Sequence, residues 1–217
     1  MTNRTVEDYI KAIYKLERGG EKVSTSVLAG ELKLADASIT DMLKRLSEKG
    51  YARYVPYQGV GLTPRGRRMA LSIVRRHRLW EMFLVQFLDY SWDKVHEEAE
   101  RLEHVTSDEL EQRLDKILHR PTVDPHGDPI PNAQGEIEVQ EDIPLSECAA
   151  GVFVRILRVS DHDGELLEHA AKIGLTLNTR IRVEEKMTFD GSMVVKVGAK
   201  ERFLSKHVAR AIFVQPA

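Results

Sequence analysis

Cys148 is the single cysteine among 217 residues, so no internal disulfide can form and the fold must rest on a packed core. Ala149 and Ala150 follow it and offer it no partner, so it reads as a buried, idle thiol. No stretch reaches the roughly 18 apolar residues of a membrane span, and the opening MTNRTVEDYIKAIY has no apolar leader core. A cytoplasmic protein away from the membrane is expected. The chain also lacks HExxH, a Gly-rich phosphate loop and a nucleophile motif, which weighs against an enzyme. The length suits one large domain or two modest ones with a real core.

The charge is present but unevenly placed. The formal total of −2 divides into +8 for residues 1–80, −13 for 81–150 and +3 for 151–217. A basic first third suits phosphate contacts, and an acidic middle suits cations.

Apolar residues at Val6, Tyr9, Ile10, Ile13, Tyr14 and Leu16 predict a first helix over Thr5–Leu16, ended by Gly19-Gly20. A second helix is expected over Ser24–Leu32 and a third over about Ala37–Lys49, with Ile39, Met42, Leu43 and Leu46 inward and Gly50 at its stop. Helix, short break, helix is the helix-turn-helix arrangement. Its third helix then offers Ala37, Ser38, Thr40, Asp41, Lys44 and Arg45 outward, with Thr25 opening the second helix, as candidate DNA contacts. Tyr51–Val55 and Gly61–Thr63 read as strands around Pro56-Tyr57-Gln58-Gly59, a hairpin wing on which Arg53, Tyr57 and, beyond it, Arg65 can touch a nucleic-acid backbone. Pro64 opens a long helix, basic at first and apolar from Leu79 through Phe83, Leu84 and Phe87, more apolar surface than a small core needs and suited to a subunit interface. Trp80 and Trp92 read as core or interface anchors.

His96-x-x-x-Glu100-x-x-Glu103-His104 places two imidazoles and two carboxylates on one helical face, a candidate divalent-metal set, and His77 with Glu81 lies one turn apart on the preceding helix. Residues 119–150, rich in Pro, Gly and acids, read as an irregular connection. Beyond them GVFVRILRVS, TRIRVEEK, MVVKVGAKERFLS and ARAIFV are β-rich runs, with a helical stretch at Glu165–Ile173 and a turn at Asp190-Gly191.

The segments TVEDYIKAIYKLE, LTPRGRRMALSIVRRHRLWEMFL, KVHEEAERLEHVTSDELEQRL and PTVDPHGDPIP resemble the diphtheria toxin repressor family of metal-dependent transcriptional regulators, nearest its manganese-responsive branch. The match spans residues 5–131 and continues more weakly beyond. The resemblance implies an α+β chain: a winged helix-turn-helix DNA-binding domain at 1–73, an all-helical dimerisation and metal-binding domain at 74–140, and a C-terminal SH3-like β-barrel, of the ferrous-iron-transport-accessory type, at 141–217. It implies a first ion held by Asp8, Glu100, Glu103 and His104 with His77 close by, and a second held by Glu81, His126 and Asp161 with His96 and Asp124 as further candidates. Iron-responsive members carry Met and Cys where this chain has Asp8 and Glu100, so the harder oxygens favour Mn²⁺, with Fe²⁺ the alternative and Co²⁺ or Zn²⁺ able to bind in vitro. Lys11 stands where short manganese-branch members have an acid, which displaces the second site toward the C-terminal domain. His119, His162, His169 and His207 are unassigned.

The expected function is a dimeric, non-enzymatic repressor that senses intracellular Mn(II) and binds palindromic double-stranded DNA operators of metal-uptake genes. An iron(II)-responsive repressor is the alternative within the family. Outside it stand a metal-independent DNA-binding protein and a metallohydrolase using Glu-x-x-Glu-His.

Overall fold

The apolar stripe of Val6, Tyr9, Ile10, Ile13 and Tyr14 is the buried side of helix α1, Arg4–Arg18, in the computed structural model of the chain. The structure describes residues 4–20, 22–138, 141–161 and 163–217, and His162 lies outside them. The described residues fall into two units.

The first unit comprises the chain up to His77 together with Arg101–Glu111 and Pro131–Ile137. Helix α2, Thr25–Leu32, begins where Ser24 Oγ accepts from the Val27 amide at 3.2 Å, and ends at Lys33, whose φ of 54° turns the chain sharply. Helix α3, Asp36–Glu48, presses Ile39, Leu43 and Leu46 into the same core as Ile10, Ile13 and Leu28. Each such fully buried aliphatic side chain contributes about 2 kcal/mol. Strands β1, Ala52–Val55, and β2, Gly59–Leu62, pair antiparallel with Val55 opposite Gly59, so the second strand of the wing starts two residues before the expected Gly61. Helix α4, Pro64–Leu88, opens at the proline, and its Ala70, Leu71 and Val74 complete the core.

The KVHEEAERLEHVTSDELEQRL segment, expected to carry its metal set on one helix, is broken. Helix α5 covers Val95–Leu102 and helix α6 covers Asp108–Ile117. Ser107 Oγ accepts from the Leu110 amide at 3.2 Å and starts α6 afresh. Glu103 and His104 therefore sit in the turn past α5 rather than on a helical face.

The second unit comprises Arg78–Glu100, Gln112–Ile130 and Glu138–Ala217. Its sheet is antiparallel and six-stranded, in the order β3-β8-β4-β5-β6-β7, from β3, Ile143–Pro144; β4, Phe153–Val159; β5, Arg180–Lys186; β6, Met193–Val197; β7, Lys200–Leu204; and β8, Ile212–Pro216. Alternation puts Val154, Ile156, Ile181, Val183, Val195 and Val214 inside, where Leu167 of helix α7, Gly164–Lys172, meets them. The run MVVKVGAKERFLS is two strands, and the start of ARAIFV ends helix α8, Lys206–Ala211. Cys148 is buried here, where burial pushes its thiol pKa up.

The expected irregular connection at 119–150 holds β3, a 3₁₀ turn at Leu145–Glu147, and a tight loop at its start. In that loop Asp124 Oδ1 accepts from the amides of His126 at 2.8 Å and Asp128 at 3.0 Å, and the Val159 amide donates to the His126 carbonyl at 2.9 Å. Gly127 has φ +90°, and a Cβ there would lie 2.0 Å from the Leu157 carbonyl oxygen. Gly127→Ala is therefore expected to destabilise the protein by about 2–4 kcal/mol, read as a lowered melting temperature. Among the described residues, no helix is long and apolar enough to cross a membrane.

Candidate metal centres

In the first unit, α1 and the turn after α5 bring Glu7, Asp8, Lys11, Glu103 and His104 together with His77 of α4. His104 Nδ1 lies 2.7 Å from Glu7 Oε2. With the carboxylate accepting the Nδ1 proton, the Nε2 lone pair is left facing 2.9 Å toward Asp8 Oδ1 and 3.5 Å toward Glu103 Oε1. His104 Nε2 and Glu103 Oε1 are both buried and make no hydrogen bond among the described residues. Electron-pair donors converging without a hydrogen between them would repel, and a cation relieves that repulsion.

Glu103 is 1% exposed and its other oxygen is already engaged. Lys11 Nζ donates to Glu103 Oε2 at 2.6 Å, His77 Nδ1 lies 2.6 Å from the same oxygen, and Lys11 Nζ lies 3.2 Å from His77 Nδ1. A buried ammonium thus ties α1 to the Glu103 turn, and one Glu103 oxygen remains directed at His104.

In the second unit, Glu81 of α4, His96 and Glu100 of α5, Asp124 and His126 of the tight loop, and Asp161 after β4 gather. His126 Nε2 lies 2.6 Å from the Trp92 carbonyl oxygen, and the Trp92 ring stacks on the imidazole with centroids 5.7 Å apart. Donation from Nε2 to that carbonyl leaves the Nδ1 lone pair 4.0 Å from Glu81 Oε2 and 4.0 Å from Asp124 Oδ1. One donor atom from each of Glu81, Asp124 and His126 lies within 4.8 Å of the other two, and all three residues are buried. His96 Nδ1 lies 3.2 Å from Glu81 Oε1 and 3.7 Å from Asp161 Oδ2, while its Nε2 lies 3.7 Å from Glu100 Oε1. Burial holds the Asp124 carboxyl pKa well above the usual carboxylate range, and the Glu81 charge raises it further against the pull of Arg78. Burial also works against the Arg78 cation, but Asp128, Asp124, Asp161 and Glu81 outweigh it and raise its pKa. Excess buried negative charge around donor atoms directed at one another fits a divalent ion in this cluster too.

Ala37, Ser38, Asp41, Lys44 and Arg45 lie on the exposed side of α3, opposite its buried residues. Thr25 is half-buried and Tyr57 stands fully in solvent at the wing tip. Thr40 Oγ1 donates to the Asp36 carbonyl at 3.0 Å, so its hydroxyl is turned onto its own helix. Arg65 stacks over Tyr51 at 4.5 Å and donates to the Lys49 carbonyl at 3.2 Å, bracing the base of the wing.

Three participants escape sequence reasoning. Glu7 looks like a solvated acid in the first turn of a helix, and its only signal is adjacency to Asp8. Lys11 stands out in the sequence only as a departure from the acid of short manganese-branch members, and nothing there signals its bond to Glu103. The Trp92 carbonyl has no sequence signature at all.

Comparison with known proteins accords with this geometry. Three family descriptions match in order: "Iron dependent repressor, N-terminal DNA binding domain" over residues 1–60, "Iron dependent repressor, metal binding and dimerisation domain" over 63–132, and "FeoA domain" over 143–216. The iron-dependent repressor IdeR of Mycobacterium tuberculosis is 31% identical, over 97% of this chain and 96% of that protein. Among solved structures, a manganese-dependent transcriptional repressor in complex with manganese is 38% identical with a TM-score of 0.92, covering 98% of this chain and all of that one. The structure of ScaR with bound Zn²⁺ is 32% identical with a TM-score of 0.84, covering 98% and 99%. Matched along nearly its whole length, the chain belongs to the iron-dependent repressor family, that of the diphtheria toxin repressor, and is a metal-dependent transcriptional repressor rather than an enzyme.

Proposed function

We propose that the protein senses intracellular Mn(II) and, as a dimer, binds palindromic operators of metal-uptake genes. The observation that carries this reading is the set around His104: Nε2 at 2.9 Å from Asp8 Oδ1 and 3.5 Å from Glu103 Oε1, buried and without a hydrogen bond among the described residues. Asp8, Glu103 and His104 hold the ion, with Glu100, four residues before His104, as the further ligand. His77 acts beside them through Glu103. Glu81, His126 and Asp161, with His96 and Asp124, hold a second ion. Carboxylate-rich donors without thiolate or thioether suit Mn²⁺, and the high similarity to a manganese-dependent repressor supports it. Fe²⁺ remains the alternative effector.

An ion shared by Asp8 and the Glu103–His104 turn fixes α1, and with it the helix-turn-helix. Metal favours the DNA-competent arrangement by its differential affinity for it, and DNA tightens metal binding in return. The outward residues of α3 enter the major groove, with Thr25 and Tyr57 as flanking contacts. The apolar end of α4 serves the dimer: Phe83 and Phe87 stack at 5.1 Å, and Phe87 and Leu88 are exposed.

Anaerobic mobility-shift titrations with Mn(II) and Fe(II) test the choice of metal. Mn(II) is expected to give full operator binding and Fe(II) less at equal occupancy; equal or stronger activation by Fe(II) favours the iron reading. Lys44→Ala is expected to weaken DNA binding about tenfold and lower the salt slope by about 1. Its metal affinity, measured by calorimetry, is expected to be unchanged.

A further inference from the structure

The outer face of the six-stranded sheet sets like charges against each other. The alternation that turns Val154, Ile156, Ile181, Val183 and Val195 inward leaves Phe153, Arg155, Arg180, Arg182 and Lys196 exposed on the other side. The register then places Arg155 of β4 directly opposite Arg180 of β5, and Arg182 of β5 directly opposite Lys196 of β6. Side chains so opposed start about 5 Å apart at Cβ, and like charges in that relation are destabilising. Two acids border the patch: Glu184 lies 3.5 Å from Arg182, and Glu201 stands opposite Lys196. They offset two of the four cations and leave Arg155 and Arg180 facing each other.

The patch is also concave. A cavity of about 260 Å³ is lined by Phe153, Arg180, Ile181, Arg182, Lys196 and Gly198. The Arg180 guanidinium lies 4.5 Å from the centroid of the Phe153 ring and that of Arg182 lies 5.6 Å from it, so one ring draws both cations to the same spot. Gly198 leaves the rim open, since a Cβ there would meet nothing within 4 Å among the described residues.

We propose that this cavity binds a diphosphate group, as free pyrophosphate or as the tail of a nucleoside diphosphate. Guanidinium groups pair bidentately with phosphate oxygens, and the Phe153 ring already holds two of them together. An anion with several charges on adjoining phosphoryl groups answers Arg180, Arg182 and Lys196 at once, where a single carboxylate answers one. Bound there, it turns the opposition of Arg182 and Lys196 into attraction to a shared partner. The cavity volume lies below the roughly 300 Å³ at which sites for drug-sized ligands begin, so it suits a compact anion better than a macromolecular chain. Opposed cations cost stability in the free protein, and a broken local rule of this kind is the mark of a functional position.

Calorimetric titration of the full-length, metal-free protein with pyrophosphate tests it; metal is left out because pyrophosphate sequesters manganese. One-to-one binding is expected, weakened about tenfold by Arg180→Gln and by Lys196→Gln. Lys172→Gln, which removes a cation of α7 paired with Glu168 at 2.7 Å, is expected to leave it unchanged. ADP binding with the same sensitivity to the two variants supports a nucleotide as the source, and pyrophosphate binding without ADP binding supports the free anion. Absence of pyrophosphate binding overturns the proposal, and sulfate binding as tight as pyrophosphate overturns the diphosphate assignment. Equal weakening by Lys172→Gln overturns it too, since net charge alone then accounts for the affinity. If pyrophosphate does not bind while an unrelated DNA duplex binds tenfold more weakly to Arg180→Gln, the patch belongs to nucleic acid and the proposal falls. In anion-free buffer both variants are expected to melt with the unsubstituted protein, because each substitution removes a repulsion along with a contact; a lower melting temperature overturns the like-charge argument.

Discussion

Asp8→Ala is expected to abolish metal-stimulated operator binding, a loss of about 100-fold in affinity at saturating manganese for the intact protein. Asp8 is half-exposed, so its truncation leaves the α1 core of Ile10 and Ile13 in place. The variant should melt near the temperature of the unsubstituted protein when both are metal-free. What it loses is the oxygen 2.9 Å from His104 Nε2, the only candidate ligand that α1 supplies in the proposed site. An ion held by Glu100, Glu103 and His104 without a ligand from α1 no longer fixes that helix. Operator affinity of the variant in a manganese mobility shift, beside its melting curve, checks both halves of this expectation.

The second large effect is expected from Lys11→Met. Lys11 is 4% exposed, and its ammonium neutralises a Glu103 oxygen at 2.6 Å. Removing one partner of a buried pair leaves an uncompensated charge, a cost of about 3–5 kcal/mol. The metal-free variant should therefore melt about 10 °C lower, at roughly 2–4 °C per kcal/mol for a chain of this size. Manganese should recover much of that loss, because an ion at Glu103 supplies the missing positive charge and no longer has an ammonium nearby to repel it. Melting curves in chelator and in manganese check this: the metal-induced rise should be larger in the variant than in the unsubstituted protein. Equal metal-free melting temperatures would show that Lys11 is not a structural counter-ion.

Sequence patterns carried the fold further than they carried the site. The stripe of Val6, Tyr9, Ile10 and Ile13, the inward set of α3, and Pro64 at a helix start follow from periodicity and backbone chemistry, and the elements appear within a residue or two. The break between α5 and α6 was written in Ser107, but an apolar and charged pattern at helical spacing ran across it and hid the cap. Likewise MVVKVGAKERFLS reads as one β-rich run until Gly198, at φ +59°, turns it back as two strands.

For the site, residue identity pointed to His104, Glu103, Glu81 and His126, while their surroundings were out of reach. Whether a lysine is solvated or buried against Glu103 depends on a contact 92 positions away in the chain. The orientation of His126 depends on a main-chain carbonyl, which every residue carries. The irregular composition of 119–150 concealed a loop ordered by Asp124 and Gly127, because Pro, Gly and acids mark solvated connections and tight buried turns alike.

The central claim is that a divalent cation governs the grip on DNA, and it is tested most directly by operator affinity measured on chelator-stripped protein and on the same protein reloaded with manganese. The account predicts binding tighter by about 100-fold on reloading, lost again when chelator is restored. Equal affinity of the stripped and loaded forms would contradict it.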